Sequence, residues 1–236
     1  MGLAWWQSVA WLMPDPGAVA KQLNVTALQF VAMWQLEYPI IAMATSILLI
    51  DMARCWVHRL LHRVNFLWRL HAIHHSDTDV DATTGFRHHP LEYLATIAIM
   101  MPLYILLEIP AASIVVYGVL AASITPFSHA NTGLPDGVER VVNKIFITNQ
   151  LHALHHSAEL GESNSNFGTV FAFWDRIFAT RIEPTLERFS CVPFSVQRIS
   201  AETAASLPKV LMQPFRFGAI GGQPAVAVVR RGDDRI

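Results

Sequence analysis

The sequence predicts an all-α protein built as a multi-pass membrane helical bundle. Three observations carry that expectation. The 236 residues are 53% hydrophobic and only 15% charged, with a mean hydropathy of +0.34, whereas a soluble domain normally carries about 25% charge. The apolar residues are gathered into long uncharged runs, the pattern of helices in lipid. The histidines, eleven against seventeen Lys plus Arg, are clustered at three- and four-residue spacings, which is a helical period. Composition also excludes classes of function. So much apolar surface offsets ordering entropy and excludes disorder. A net charge of −1 and a pI near 6.8 give no electrostatic case for a nucleic-acid partner. Cys55 and Cys191 are the two cysteines, too few for a disulfide framework or a Cys-based zinc site.

The elements follow in chain order. Trp5, Trp6 and Trp11 lie in a short apolar stretch that Pro14-Asp15-Pro16 ends. It lacks a basic leading region, so an interfacial segment with Trp anchors is expected rather than a cleaved signal peptide, despite Ala18-Val19-Ala20. Residues 27–50 read as the first span: at 1.5 Å per residue they cover about 36 Å against a ~30 Å hydrocarbon core, with Glu37 and Pro39 as interruptions. Tyr93–Leu107 and Ile109–Phe127 carry no charge and read as a membrane hairpin, residues 93–127, with its tip near Glu108. Residues 138–151 place apolar side chains at 138, 141, 142, 145 and 146, the pattern of an amphipathic helix on the membrane surface. After Pro184 the chain gains Pro, Gly and polar residues and reads as a peripheral tail. The expected division is therefore residues 1–50, 51–183 and 184–236. All basic residues except Lys21 fall within Arg54–Arg87 or Arg140–Arg235, and the positive-inside rule places both segments in the cytoplasm.

Those two segments hold nearly all the histidines. His58 and His62 are an i, i+4 pair, able on a helix to reach one metal. His71-Ala72-Ile73-His74-His75 and His152-Ala153-Leu154-His155-His156 repeat an i, i+3, i+4 triplet, so three imidazoles converge in each. His88, His89 and His129 follow singly. A single such triplet is weak evidence; two copies with a pair upstream are specific. A catalytic zinc uses three protein ligands and a structural one four. Nine or ten imidazoles therefore suit two metals, and imidazole alone does not choose among iron, copper, zinc and nickel. A neutral imidazole shell calls for carboxylates behind the ligands, with Asp51, Asp77, Asp79, Asp81, Glu92 and Asp175 as candidates. The expected architecture is thus a membrane bundle with a cytoplasmic histidine-rich helical cap holding a dinuclear metal site.

From about residue 49 to 180 the chain resembles the fatty acid hydroxylase/sterol desaturase superfamily of membrane-bound di-iron proteins, in a bacterial-type form. The matching pieces are Asp51…His58-Arg59-x-x-His62, Leu67-Trp68-Arg69-Leu70-His71-x-x-His74-His75-Ser76 and Arg87-His88-His89-Pro90-Leu91-Glu92. They continue with Ser128-His129-Ala130-Asn131, Leu151-His152-x-x-His155-His156-Ser157, and Glu162-Ser163-Asn164-Ser165-Asn166-Phe167-Gly168 running into Trp174-Asp175-Arg176-Ile177-Phe178-Ala179-Thr180. The resemblance implies metal ligands at His58, His62, His71, His74, His75, His129, His152, His155 and His156, which would also be the catalytic set. It implies His89 as a tenth ligand or a group behind the ligands, and gives His88 no role. Cys55 stands where an aromatic residue is common and Ala153 where Arg is common; neither removes a ligand.

The resemblance further implies two iron ions as cofactor, O2 as co-substrate, and hydroxylation, less readily desaturation, of an unactivated C–H bond in a lipid, sterol or isoprenoid-like substrate. Asn131 and Asn166 are candidates for hydrogen-bonding ligands or substrate, or for turns. The sequence carries no Gly-x-Gly-x-x-Gly fingerprint, so a separate electron donor is expected, a ferredoxin or a small cytochrome with its reductase. The lipid bilayer of a bacterial inner membrane is the expected location. The alternative is a membrane protein whose histidine clusters bind or transport metal without oxidase activity.

Overall fold

The computed structural model describes residues 35–194 and 199–216. The Trp-bearing N-terminal stretch and the first part of the 27–50 run lie outside them. Among the described residues the protein is all-helical, with only two isolated β-bridges, Phe146–Phe171 and Ser157–Phe194.

Helix α1 (Pro39–Arg63) does not stop at Ile50 but continues to Arg63. Pro39 sits in its first turn, where the missing N–H costs nothing and the fixed φ favours the helix. One element thus carries both apolar surface and the pair His58/His62. At Val64 the backbone turns extended (φ −90°, ψ 114°), and α2 (Asn65–His71) restarts the helix in a new direction. The hairpin is present as α3 (Pro90–Leu106) and α4 (Ala111–His129). Its tip bends at buried Glu108, whose φ is +48°. α1 and α4 are long and apolar enough to cross a membrane, while α3 is apolar but shorter. Ile50, Val57 and Leu61 of α1 pack on Met100 and Tyr104 of α3 and on Ile114 and Tyr117 of α4, so these three helices form the bundle core.

The helix expected over 138–151 is two helices, α5 (Asp136–Val142) and α6 (Asn149–His155). The break has a local and a long-range cause. Thr148 caps α6 by accepting from the Leu151 N–H. Ile147 N–H donates to the Val170 carbonyl (3.0 Å) and Ala172 N–H to that of Ile145 (2.8 Å), drawing the intervening chain into an extended bridge. Short helices α7 (Leu160–Ser163) and α8 (Phe173–Ile177) follow. Beyond Pro184 come α9 (Leu186–Phe189), α10 (Ala201–Ala204) and α11 (Leu207–Met212). This last segment is packed onto the histidine-bearing part. Ile199 and Ala204 join Trp68 and Ala72 in a buried cluster, and the Ala204 carbonyl accepts from Arg87 (2.7 Å).

Asp51 joins the bundle to the chain that follows α6. Fully buried, it accepts from Tyr117 Oη (2.7 Å), the Val170 and Phe171 N–H groups (3.1 and 3.0 Å) and Trp174 Nε1 (3.0 Å). Four donors on one carboxylate are what its burial requires.

Candidate metal centre

α1, α2, α4, α6 and the 3₁₀ turn His74–Ser76 converge where α1 and α4 end, and bring nine imidazoles together in two groups. In the first, one ring nitrogen from each of His58, His62, His71, His75 and His155 lies within 4.8 Å of the others. In the second the same holds for His74, His129, His152 and His156. The groups touch: the rings of His75 and His156 stack at 4.4 Å, and those of His152 and His155 at 5.1 Å.

Each triplet is divided between the groups. His71 and His75 go to the first and His74 to the second; His152 and His156 go to the second and His155 to the first. Helix geometry accounts for the division in α6. At 3.6 residues per turn, positions i and i+4 differ by about 40° around the axis, while i+3 is about 100° from i+4. The i, i+4 pair stays together and the third ring faces the neighbouring group. The triplets therefore do not each converge on one point, as spacing alone predicts. They lie between two.

Hydrogen bonds set the ring orientations. His58 Nδ1 donates to the Phe167 carbonyl (3.0 Å), His74 Nδ1 to that of Thr84 (3.1 Å), His129 Nδ1 to that of Thr125 (2.7 Å) and His155 Nδ1 to that of Ser165 (2.8 Å). His71 Nδ1 donates to Glu92 Oε1 (2.9 Å). A carbonyl or carboxylate only accepts, so the proton is on Nδ1 and the Nε2 lone pair is free. The Nε2 atoms face one another. His58 and His71 Nε2 are 3.1 Å apart; His129 Nε2 lies 3.2, 3.0 and 3.2 Å from the Nε2 atoms of His74, His152 and His156. Both nitrogens of His62, and Nε2 of His75 and His155, are buried without a hydrogen-bond partner. Burial, joined by neighbouring rings, pushes the pKa of His74, His75, His152 and His156 well down, and burial lowers His155 to about 3. Neutral rings with converging lone pairs and unpartnered nitrogens fit a pair of cations bound through imidazole.

The carboxylates divide by distance from the rings. Glu92 alone touches histidine, accepting from both His71 and His88. Asp77 accepts from Thr84 Oγ1 (2.8 Å), whose own carbonyl holds His74. Asp175 accepts from the N–H groups of Phe167 and Gly168 (2.7 and 2.9 Å), fixing the carbonyl that holds His58. Asp51 anchors the next few residues, while Asp79 and Asp81 are exposed in a turn. Asn166 is a turn residue, with φ +50° and an amide bonded to the Leu151 and Ile182 carbonyls; Asn131 is exposed.

His89, expected as a tenth ligand or a supporting group, stands outside both groups. Its Nδ1 caps α3 by accepting from the Leu91 N–H (3.0 Å), and Nε2 donates to the Leu211 carbonyl (3.2 Å), so both nitrogens are used. His88 is the neighbour brought to the centre. Its ring stacks on His74 at 4.3 Å and its Nδ1 reaches Glu92 Oε1 at 3.0 Å. The Glu92 at i+4 was its one sequence signal; the four carbonyls that orient rings left none, because any residue type supplies a carbonyl. A cavity opens on both groups, walled by His58 and His71 of the first and His74, His129 and His152 of the second.

A family model described as fatty acid hydroxylase matches residues 43–180. Ornithine lipid hydroxylase OlsE of Rhizobium tropici is 32% identical over 178 residues, 73% of this chain and 51% of that protein. Alkylglycerol monooxygenase of Homo sapiens is 28% identical over 132 residues, 56% of this chain and 28% of that protein; its Danio rerio counterpart is 26% identical over the same length. The chain thus spans about half the length of the first relative and about a quarter of the others. No solved structure matches it. The match covers α1 through α8 and takes in all nine converging histidines, and the chain belongs to the fatty acid hydroxylase family.

Proposed function

We propose that the protein is a membrane-embedded lipid hydroxylase whose two histidine groups each hold one iron ion. The observation that carries this reading is the pair of adjoining all-imidazole groups opening on one shared cavity. His58, His62, His71, His75 and His155 would hold one iron, and His74, His129, His152 and His156 the other. Two irons bound there supply O2 activation with two electrons, for oxygen insertion into a C–H bond. The relatives named as a lipid hydroxylase and a monooxygenase favour hydroxylation over desaturation.

The chain's own part is to bind, orient and keep dry. The Phe167, Thr84, Thr125 and Ser165 carbonyls and Glu92 keep the proton on Nδ1 of five rings, leaving Nε2 for metal. Buried Val57 and Leu61 of α1 line the cavity beside the rings and exclude water from it.

Lipid surroundings follow from the surface. Only 33% and 28% of the most apolar stretches of α1 and α4 are buried. Ile40, Ile41 and Leu48 on α1, and Val115 and Val119 on α4, are exposed, more apolar surface than water tolerates. With α3, these helices would form a multi-pass bundle in a bacterial inner membrane, the basic segments placing the histidines on the cytoplasmic side. Substrate enters from the bilayer, and electrons come from a separate ferredoxin or small cytochrome.

Metal analysis of the full chain, purified in detergent without added metal or chelator, tests the reading. About two irons per chain are expected, with hydroxylated lipid as product once electrons are supplied. No more than one freely exchanging metal after anaerobic iron reconstitution would overturn it in favour of a metal-binding or transport protein.

A further inference from the structure

Arg54 is a cation that neither the histidine groups nor the bundle core uses. It lies on α1 four residues before His58, and positions 54, 57, 58 and 61 form one face of that helix, which walls the cavity. The cavity wall has one other charged side chain, Glu92, whose Oε1 is taken by His71 and His88 and whose Oε2 is buried without a hydrogen-bond partner. Asp51, one turn before Arg54, gives its oxygens to Tyr117, Val170, Phe171 and Trp174. Among the described residues no hydrogen bond or ion pair involves Arg54, so no carboxylate lies within 4.0 Å of its guanidinium nitrogens. Nor is it a freely solvated surface charge: it is partly buried in the cavity wall, which it shares with Tyr93 of α3. An arginine that faces a cavity rather than bulk water is placed to meet a ligand, and its planar fork of donors suits a carboxylate or a phosphate.

We infer that Arg54 binds an anionic group of the substrate, so that the cavity takes an amphiphile bearing a carboxylate or phosphate and oxidises a carbon close to that group. This rests on the lipid hydroxylase reading and names its substrate class. The scale follows from the helix. Positions 54 and 58 are about 6 Å apart along the axis, and the Arg54 side chain leans toward the helix start, away from His58. An anion held there brings carbons within one or two helical turns of it alongside the rings, and leaves the remote end of a long chain out of reach.

Equilibrium binding of three radiolabelled probes to the full iron-loaded chain in detergent tests the inference: palmitate, hexadecyl phosphate and the uncharged hexadecanol. The wild-type protein should bind at least one anionic probe ten-fold or more tighter than hexadecanol, and which one binds tighter identifies the anion. Arg54→Gln should remove that preference at unchanged iron content, while Arg54→Lys, which keeps the charge, should retain part of it. Equal wild-type binding of all three probes would overturn the assignment, as would a full preference surviving in Arg54→Gln. If Arg54→Gln fails to fold, the wild-type comparison and Arg54→Lys still decide, since loss of the whole preference in the lysine variant at normal iron content would also overturn it. Because binding is read rather than turnover, an inert protein with the anionic preference would contradict the hydroxylase reading alone, and an active one without it would contradict Arg54 alone.

Discussion

His89 and His155 are two buried histidines with opposite tasks, and their hydrogen bonds tell them apart. His89 has both nitrogens satisfied by backbone, one capping α3 and one holding the Leu211 carbonyl. His155 has one nitrogen on the Ser165 carbonyl and the other buried without a partner. A ring with no free lone pair cannot bind metal without giving up a hydrogen bond. His89→Ala should therefore leave metal content unchanged. It should lower stability by about 0.5–2 kcal/mol, as loss of a helix cap does. His155→Ala should lower metal content and abolish turnover. Metal analysis and thermal unfolding of the two variants check this, and metal loss in His89→Ala would return His89 to the ligand set. The resemblance gave a role to His89 and none to His88, and it is the fold that shows the His88 ring turned toward His74.

At the scale of elements, what was legible was local. The uncharged arms around Glu108 became α3 and α4, and the i, i+4 spacing of His58 and His62 placed both on α1 in one group. What was hidden depended on distant partners. The apolar pattern over 138–151 ignores Thr148, which caps a new helix, and residues 170–172, which hold the chain between α5 and α6 extended. The division of each triplet was hidden likewise, since spacing says which rings share a face but not what stands opposite. The 165–180 segment is the clearest case. Its Asn-Phe-Gly and Trp-Asp-Arg pieces supply no ligand, yet it carries the carbonyls that orient His58 and His155. Gly168 is required by close approach: a Cβ there would lie 2.6 Å from the Phe171 carbonyl oxygen. Asp175 holds the turn with three acceptor contacts, to Phe167, Gly168 and Thr180. An Asp175→Asn amide sets an NH2 against an N–H or hydroxyl donor, which costs about 1–3 kcal/mol. The expected result is a lower unfolding temperature together with reduced metal content, because the Phe167 carbonyl moves away from His58. Destabilisation with full metal content would show that this turn supports the fold without positioning the ligand.

For the whole molecule, the centre ties the structure together. The rings come from α1, α2, α4, α6 and the turn between α2 and α3, so each element that reaches the centre is tied to the others through it. Without metal the same arrangement packs neutral imidazoles with lone pairs opposed, and acid should open it. His74, His75, His152, His155 and His156 all have pKa values lowered by burial, that of His155 to about 3 from an ordinary 6.5. Unfolding exposes them to water, where they take up protons below about pH 6.5. Between the folded and unfolded values the unfolded chain binds more protons, so stability rises with pH there and is lost as pH falls. Above about 6.5 neither state is protonated at these rings and their contribution is flat. Each histidine that charges on unfolding adds a slope of up to about 1.4 kcal/mol per pH unit. The metal-free protein should therefore unfold at nearly constant temperature from about pH 8.5 to 7.5 and at steadily lower temperatures from about pH 6.5 to 5. Bound metal competes with those protons and should shift the acid limb to lower pH. Thermal unfolding of chelated and metal-loaded protein across this range checks both statements. An acid limb that is absent, or identical in the two forms, would mean that the buried rings are not held neutral for a metal.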